Sequence, residues 1–371
     1  MKILGLGGSI HDFSACLLNG DKLHAIEDER ITKIRYSENS KNPCVPSYNY
    51  LFDCCNVKES EIKYLVFNDD LTDIVNSSFS LYKQKFAINH HLAHAYSSFF
   101  TSEFVQSAIL IVDGAGSKKD FKSNSDETRE TSSFYFGDGQ SVNQIKKIYG
   151  TLDGYNPISK SQTVMTNSIG EFYRVVAEGI GLGWLSGPGK MMGMSSYGSI
   201  NNEYIDYLLE SVTFEKNGEF SINTNGENSL IDRVFLLKNK IEKSKNDKFI
   251  LYANLAKSAQ IIFEKLLIHS LDYLYELTKN DNLCLAGGAA LNSVANGIIR
   301  ERTKFKNIHI VAYTGDDGLS IGAALWGYYN LEQKVKDKKF RFNSTPFLAK
   351  IYKNEEILHA LDNSSLNYTK S

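Results

Sequence analysis

The sequence predicts an α/β protein with a duplicated architecture, in which two lobes enclose a cleft. Its 371 residues exceed the size at which a single hydrophobic core stops growing. Strand-like runs dominate the first part of the chain, and strands alternate with helices near residues 250–330, a pattern typical of a parallel sheet packed by helices. We therefore expect a first lobe over residues 1–150, a second over 151–330, and a linker with a short tail over 331–371.

Apolar runs joined by turn residues predict the individual strands of this fold. In the first lobe they are Ile3–Leu6, Ser14–Leu18, Leu23–Ile26, Tyr64–Phe67, Ala108–Val112, Phe134–Phe136 and Ile145–Tyr149. Helical periodicity follows in the second lobe, from Ser168 to a glycine and again over Phe249–Leu277. After it we expect a strand at Cys284, a helix from Leu291, a strand over Ile308–Val311 and a helix over Leu319–Tyr328.

Composition and charge narrow the classes of partner. With 42% hydrophobic and 23% charged residues the chain has ordinary globular values, and its formal net charge is −2. Affinity for nucleic acid or anionic lipid depends on clustered Lys and Arg, so nucleic acid is not favoured as a partner. The first residues lack the features of a secretion signal, and no apolar run approaches the length of a membrane span. We expect a cytoplasmic protein without a membrane partner.

The segment NHHLAHAYSSFF places His90 and His94 four residues apart. On a helix these two side chains project from one face and can coordinate one metal ion. His91 would point about 100° away on the same helix. Two imidazoles combined with carboxylates suit iron, zinc or manganese. The alternative is a helix whose histidines lie at the surface or cap its end.

Two carboxylates complete a predicted metal site. Asp113 follows a strand and precedes glycines, and Asp316 stands in the same context in the segment TGDDGLSIG. Facing each other across a cleft, the two acids and the two histidines would form a four-ligand site with room for a substrate oxygen. Asp317 is an alternative to Asp316 as the second carboxylate ligand. Either acid could instead be a turn residue whose side chain accepts hydrogen bonds from backbone N–H groups.

Glycine-rich segments predict an anion site. In CLAGGAALN, Gly287 and Gly288 allow close approach of a ligand to backbone N–H groups. The segment GLGWLSGPGKMMGMSSYG carries six glycines, which predicts an ordered active-site loop rather than a helix, with Lys190 balancing phosphate or carboxylate charge. The alternatives are a tight turn without a ligand and a flexible surface loop. Near the amino terminus, His11 and Asp12 offer an acid or base for a hydroxyl, or a turn histidine bonded to backbone.

Taken together, the motifs resemble those of the NodU- and CmcH-type O-carbamoyltransferases, whose amino-terminal domain is related to the proteins of tRNA threonylcarbamoyladenosine synthesis. The matching segments follow the family's order over residues 1 to about 330 and are HDFSACLL, EDERITKIR, NHHLAHAYSSFF, ILIVDGAGS, SIGEFYRVVAEGIGLG, GKMMGMSSYG, LAGGAALNSVANG and GDDGLSIGAAL. The resemblance implies a fold of the actin and sugar-kinase type. It implies iron, or another divalent cation, held by His90, His94, Asp113 and Asp316, and an adenine nucleotide at Gly170, Glu171, Lys190, Gly287, Gly288 and Asn292.

The resemblance also implies an activity. Related enzymes make carbamoyl adenylate from carbamoyl phosphate and ATP in a carboxy-terminal YrdC-like domain, then transfer the carbamoyl group in the amino-terminal domain. This chain stops about where that second domain would begin. We therefore expect either a separate YrdC-like protein that supplies the adenylate to an O-carbamoyltransferase catalytic subunit, or one piece of a split enzyme. Its acceptor would be a small-molecule hydroxyl, with His11 or Asp12 taking the proton and Lys190 stabilising negative charge. Arg35 and Tyr36 depart from the family's lysine and histidine, so the acceptor contacts of these two positions are not carried over.

Three other functions compete with this one. Carbamoyl transfer to tRNA, as in the related universal proteins, needs an electropositive surface that the composition does not favour. A non-catalytic nucleotide-binding scaffold would need no tightly bound iron. A sugar or acetate kinase would turn over ATP with Mg²⁺ and without a histidine-held metal.

Overall fold

A computed structural model describes residues 1–20, 22–120, 127–153, 164–331 and 347–369 of the chain. The charged run at 332–342, assigned to the predicted linker, lies outside the described residues. Within the predicted tail, the Leu348 carbonyl oxygen accepts a hydrogen bond of 3.1 Å from the Ala25 amide. The tail therefore contacts the first lobe.

The first sheet has five strands in the order β3-β2-β1-β4-β5. The pairs β1–β2 and β2–β3 are antiparallel, whereas β4 and β5 continue the sheet parallel to β1. Its strands are β1 (Lys2–Gly7), β2 (Ser14–Asn19), β3 (Lys22–Glu27), β4 (Tyr64–Asn68) and β5 (Lys85–Ile88).

The second sheet repeats this plan. Its order is β13-β12-β6-β7-β8-β9, so apart from the short β9 it reads as an antiparallel meander joined to two parallel strands, like the first sheet. Its strands are β6 (Ser107–Val112), β7 (Thr128–Gly137), β8 (Val142–Asp153), β9 (Val164–Met165), β12 (Asn282–Ala286) and β13 (Asn307–Ile310), and a separate hairpin consists of β10 (Val212–Phe214) and β11 (Phe220–Ile222). The predicted duplication is confirmed.

The boundary between the two sheets does not lie at residue 150, where the sequence predicts the boundary between the lobes. The second sheet begins at Ser107. Its strands β6 and β7 lie before residue 150, and β8 crosses that position. The reason is that each half opens with an antiparallel meander, so strand content alone does not mark where the second half starts.

Helices cover both sheets and fill the insertion between β9 and β12. They are α1 (Asp28–Thr32), α2 (Val45–Cys55), α3 (Thr72–Ser78), α4 (His90–Thr101), α5 (Ile169–Ile180), α6 (Gly187–Met194), α7 (Asn202–Leu209), α8 (Leu230–Lys243), α9 (Lys248–Thr278), α10 (Ser293–Arg302), α11 (Leu319–Leu331) and α12 (Asn354–Asp362). The predicted helix after Ser168 is confirmed, with Ser168 as its N-cap and Gly181 in the left-handed conformation at its end. Among the described residues, the helices lack a stretch long and apolar enough to cross a membrane.

The prediction that the glycine-rich segment is not helical was wrong. Residues Gly187–Met194 form α6, with a proline in its first turn, where a missing N–H costs little. Met191 is fully buried on this helix. Burial of that side chain offsets the cost of interior glycine, about 1 kcal/mol per residue relative to alanine.

Two helices cross between the halves and position the strand ends. Helix α4 ends the first half but packs on β6 and β12 of the second sheet, whereas α11 ends the second half and packs on β1 and β4 of the first. Glycines permit this close approach, because a Cβ at Gly5 would lie 2.0 Å from the Ser320 carbonyl oxygen and one at Gly7 would lie 2.2 Å from the Ser320 nitrogen. The amino ends of both helices thereby meet at the same edge of the two sheets.

Candidate metal centre

Four buried side chains converge where the two halves meet. His90 and His94 occupy the first two turns of α4, Asp113 directly follows β6, and Asp316 lies in the 3-10 turn before α11. One ligand atom from each lies within 4.8 Å of those from the other three. The structure therefore brings together the four residues that the sequence singled out as metal ligands.

The geometry of this cluster fits a cation. Nε2 of His90 lies 3.1 Å from Oδ2 of Asp113 and 3.4 Å from Oδ1 of Asp316, and Nε2 of His94 lies 3.7 and 3.6 Å from the same two atoms. Ligands that lie about 2.0 to 2.2 Å from one ion are roughly 2.8 to 3.6 Å apart, a range that includes three of these four distances. Nε2 of His94 is fully buried, and no described residue lies within hydrogen-bond distance of it. A cation would satisfy this orphaned nitrogen.

The second oxygen of each carboxylate is held by the protein. Oδ1 of Asp113 accepts hydrogen bonds from the amides of Gly114 at 2.8 Å and Gly288 at 3.1 Å. Oδ2 of Asp316 accepts one of 2.5 Å from the Ser9 hydroxyl. Each carboxylate thus turns one oxygen toward the cluster and anchors the other.

Buried charges fix the ionisation of the cluster. Although burial opposes it, Asp316, Asp113 and Asp70 raise the pKa of His90. Although burial opposes it, the hydrogen bond with His90 lowers the pKa of Asp113, and the charge of His90 lowers the pKa of Asp316. By contrast, burial and neighbouring acids raise the pKa of Asp317 to about 8, and its side chain does not belong to the cluster. The geometry therefore brings Asp316 rather than its rival to the ligand set.

Side chains satisfy the free amides at the start of α4, which orients both histidines. Helices leave their first N–H groups without backbone partners. Here each of the first three has a side-chain acceptor: Ser117 Oγ for His90 at 2.8 Å, Glu130 Oε1 for His91 at 3.0 Å and Asn89 Oδ1 for Leu92 at 3.0 Å.

Glu130 is the buried charge in this cap. Its side chain forms an ion pair with Lys147 and also accepts hydrogen bonds of 3.0 Å from the Asn89 amide group and the Ser117 amide. Burial alone would raise its pKa, but His91 and Lys147 together lower the pKa of Glu130 to about 2. Glu130 therefore stays ionised and links β7 to the start of α4.

The ring of His91 lies outside the cluster, as helical geometry predicts. Its Nδ1 lies 2.7 Å from the Ser133 hydroxyl, and its Nε2 lies 4.0 Å from Oδ2 of Asp113. Burial lowers the pKa of His91 to about 4, so this ring is neutral near pH 7.

His11 and Asp12 form an ion pair beside the cluster. Nδ1 of His11 lies 2.9 Å from Oδ2 of Asp12, and the ring of Trp184 meets the His11 ring edge-on at 6.1 Å. Burial disfavours the charged imidazole, but Asp12, Asp316 and Asp113 together raise the pKa of His11 to about 9. Near neutral pH His11 is thus a cation that can donate hydrogen bonds.

Four of the predicted nucleotide residues lie around the Asp113 turn. Gly287 has φ +95°, and a Cβ there would lie 2.3 Å from the Val112 carbonyl oxygen. A Cβ at Gly170 would lie 3.0 Å from the Asp113 carbonyl oxygen, and Gly288 donates to Asp113 as described above. Glu171 follows Gly170 on α5 and forms an ion pair of 2.6 Å with Arg174.

The other two predicted nucleotide residues have different surroundings. The side-chain oxygen of Asn292 accepts hydrogen bonds from the Gln260 side chain at 3.1 Å and the Ala295 amide at 3.0 Å, and its amide donates to Gln260 at 2.9 Å. Lys190 is exposed on α6, where its ammonium group lies 3.4 Å from the Leu182 carbonyl oxygen. Neither side chain touches the four-residue cluster.

Sequence reasoning missed two acids that support the cluster. Asp70 lies at the end of β4 and contacts Nδ1 of His90 at 2.8 Å. It follows a predicted strand just as Asp113 does, so the same rule of polar residues at strand ends would have found it. Glu130 lies within a strand and has no comparable local signal.

The duplicated sheets, with α4 and α11 crossing between them, define the fold as actin/sugar-kinase-like. A solved structure of full-length HypF in the phosphate- and nucleotide-bound form shares this fold. It superposes with a TM-score of 0.56 and 16% identity over 89% of this chain and 56% of that one. At this identity the likeness concerns the fold alone.

The family follows from the sequence. The profile of the family described as Carbamoyltransferase N-terminus matches residues 55–325, and the chain belongs to this family. It is 26% identical to nodulation protein NolNO of Sinorhizobium fredii, over 90% of this chain and 48% of that protein. It is 25% identical to the Synechocystis protein sll1178, over 96% of this chain and 62% of that protein. The chain thus spans about half to three-fifths of the length of these relatives.

Proposed function

We propose that the chain is the catalytic subunit of an O-carbamoyltransferase, which transfers a carbamoyl group from carbamoyl adenylate to a hydroxyl group of a small molecule. Membership in the carbamoyltransferase family supports the reaction class. The observation that carries the proposal is the convergence of His90, His94, Asp113 and Asp316 within 4.8 Å, because it offers a cation site inside the cleft where a carbamoyl donor would bind.

The donor set of two imidazoles and two carboxylates suits iron, zinc or manganese, and we propose iron. Such a cation would supply Lewis-acid stabilisation of a phosphate or carbamoyl oxygen. Protein side chains would stabilise the negative charge that the cation does not. The protonated ring of His11 lies beside the cluster and can donate a hydrogen bond to an anionic oxygen.

In the transfer step, the acceptor oxygen bonds to the carbamoyl carbon while the bond from that carbon to the AMP phosphate oxygen breaks. AMP is the leaving group, and the hydroxyl proton must go to a base. We propose Asp12 for this role, because its partner His11 already carries a proton near neutral pH. His11 then orients Asp12 and stabilises negative charge, with Lys190 of α6 as a second cation near the leaving phosphate.

The nucleotide would lie along the glycine turns that surround Asp113. Gly287, Gly288 and Gly170 at the start of α5 pack closely against the Val112–Gly114 segment, where a side chain at any of the three would clash or crowd. We propose that the phosphate binds beside these packed turns, at the start of α5. Glu171 and Asn292 complete the proposed site by fixing α5 and the start of α10. HypF, which shares the fold, was solved in a phosphate- and nucleotide-bound form, and this supports a nucleotide site in the present chain.

We propose that a separate YrdC-like protein makes the carbamoyl adenylate from carbamoyl phosphate and ATP. The test combines the purified chain, Fe(II) under anaerobic conditions, such a protein, ATP, radiolabelled carbamoyl phosphate and a panel of sugars as acceptors. Label in an acceptor and release of AMP would support the proposal.

Two variants sharpen this test. His94→Ala removes one proposed ligand, and we expect it to lose the metal and at least about 100-fold in transfer rate. His359→Ala changes an exposed histidine on α12 and should retain both. Full transfer by His94→Ala would refute the site, whereas nucleotide binding without any transfer would favour the scaffold alternative.

A further inference from the structure

We infer that Asp70 is a positioning residue of the metal centre, which holds the His90 ring so that Nε2 faces the cation. This inference rests on the metal site of the proposed function and extends it to a residue outside the ligand set. The contact that carries it is the 2.8 Å distance between Oδ2 of Asp70 and Nδ1 of His90.

The direction of this hydrogen bond follows from the other partners of Asp70. Arg129 donates to Oδ1 and the Asn68 amide group donates to Oδ2, so both oxygens of the carboxyl group act as acceptors. Nδ1 of His90 is therefore the donor in the contact with Asp70, which leaves Nε2 as the ring nitrogen that can coordinate a cation. Carboxylate–histidine–metal arrangements of this kind fix the tautomer and raise the basicity of the ligand.

Other contacts hold Asp70 itself in place. Its Oδ1 accepts a hydrogen bond of 3.2 Å from Arg129, whose guanidinium also donates to the Gly116 carbonyl oxygen at 2.9 Å. Its Oδ2 accepts a second hydrogen bond of 3.1 Å from the Asn68 amide group. Both oxygens are thus occupied, and the carboxylate cannot rotate without breaking at least one of these contacts.

The preceding residue, Asp69, supports the backbone of the same histidine. Its Oδ1 accepts a hydrogen bond of 2.7 Å from the Ser117 hydroxyl, and that hydroxyl accepts one of 2.8 Å from the His90 amide. The end of β4 therefore holds both the ring and the main chain of His90.

The two proposed histidine ligands differ in this respect. Nδ1 of His94 is buried, and no described residue forms a hydrogen bond with it. In three of the four cluster residues, the polar atom that faces away from the cluster forms a hydrogen bond with the protein; these are His90, Asp113 and Asp316. In His94 that atom has no such partner among the described residues. Asp70 thus has no counterpart at His94, so its loss should disorder the ligand set on the His90 side alone.

The test is anaerobic titration of the full chain with Co(II), followed by visible absorption, for wild type, Asp70→Ala, Asp70→Asn and Asp73→Ala. Asparagine can accept the Nδ1 proton without the negative charge, and Asp73 is a nearby exposed acid on α3. We expect Asp70→Ala to raise the Kd for Co(II) about 10- to 100-fold and to change the absorption bands. Asp70→Asn should recover part of that loss, and Asp73→Ala should match wild type.

The outcomes separate this inference from the proposed function. If wild type binds no Co(II), the metal site itself fails. If wild type binds Co(II) and Asp70→Ala binds it with the same affinity and spectrum, only the role of Asp70 is overturned. Thermal melting of each variant checks that it folds. If Asp70→Ala does not fold, Asp70→Asn takes its place in the test. Co(II) affinity and an absorption spectrum equal to those of wild type in Asp70→Asn would then overturn the inference.

Discussion

Gly322 of α11 packs directly against Ala93 of α4, so closely that a Cβ at Gly322 would lie 1.8 Å from the Ala93 carbonyl oxygen. This contact joins the two helices whose amino ends carry the cluster, because α4 presents His90 and His94 and α11 follows Asp316. The separation of the two helix axes therefore sets the distance between histidines from one half and a carboxylate from the other.

Replacing Gly322 with alanine should force these helices apart. Because the obstacle is backbone, which cannot turn away, we expect Gly322→Ala to destabilise the fold by about 1 to 3 kcal/mol or more and to weaken Co(II) binding. Urea denaturation and the Co(II) titration measure the two effects. Gly297→Ala is the matched control, since Gly297 lies on α10 with open space around it, and it should be neutral or stabilise by up to about 1 kcal/mol. Equal stability of both variants would contradict this account of the interface.

The Ser9 hydroxyl should matter through Asp316. Ser9→Ala removes the 2.5 Å hydrogen bond to Oδ2 of Asp316, and hydrogen bonds to charged groups contribute about 1.5 to 3 kcal/mol. We expect the variant to bind Co(II) more weakly than wild type, as measured by competition with a chromophoric chelator. Ser77→Ala, which removes an exposed hydroxyl on α3, serves as control. Unchanged affinity in Ser9→Ala would mean that Asp316 is oriented by other contacts.

Binding of a cation at the proposed site should raise the thermal stability of the protein. Asp113 and Asp316 repel each other, and Nε2 of His94 has no hydrogen-bond partner among the described residues. A ligand at about 100 times its Kd stabilises the folded state by about 2.7 kcal/mol. We therefore expect Tm to rise with Co(II) or Fe(II) concentration in chelator-treated wild type and to stay constant in His94→Ala. A concentration-independent Tm in wild type would count against a metal site.

Local patterns were enough to predict which four residues converge in the cluster. The four-residue spacing of His90 and His94 and the position of Asp113 after an apolar strand are visible in short windows, and the duplication follows from repeated strand patterns. The sheet topology then brings these distant segments together, because the ends of β6 and the starts of α4 and α11 meet at one edge.

Contacts made by long-range packing could not be predicted in this way. Helix α6 forms in a glycine-rich segment because Met191 is buried against the rest of the protein, which overrides weak helix propensity. Glu130 acquires its role only when β7 pairs beside the start of α4, and nothing near it in sequence marks that neighbour.

The buried carboxylate of Glu130 should make stability depend on acid pH. The pKa of Glu130 is lowered from 4.5 to about 2 in the folded protein. The contribution of the ionised carboxylate to the free energy of unfolding is therefore fully present above pH 4.5 and is lost as the pH falls from 4.5 to about 2. The full shift corresponds to about 3 kcal/mol, which is the upper limit near neutral pH because His91, one of its causes, is uncharged there. We expect Glu130→Gln to be less stable than wild type near neutral pH by up to that amount, and the stabilities of the two proteins to converge as the pH approaches 2. The control Glu355→Gln changes an exposed residue of α12 and should follow wild type at every pH. A constant difference between wild type and Glu130→Gln across this range would show that the charge of Glu130 does not stabilise the start of α4.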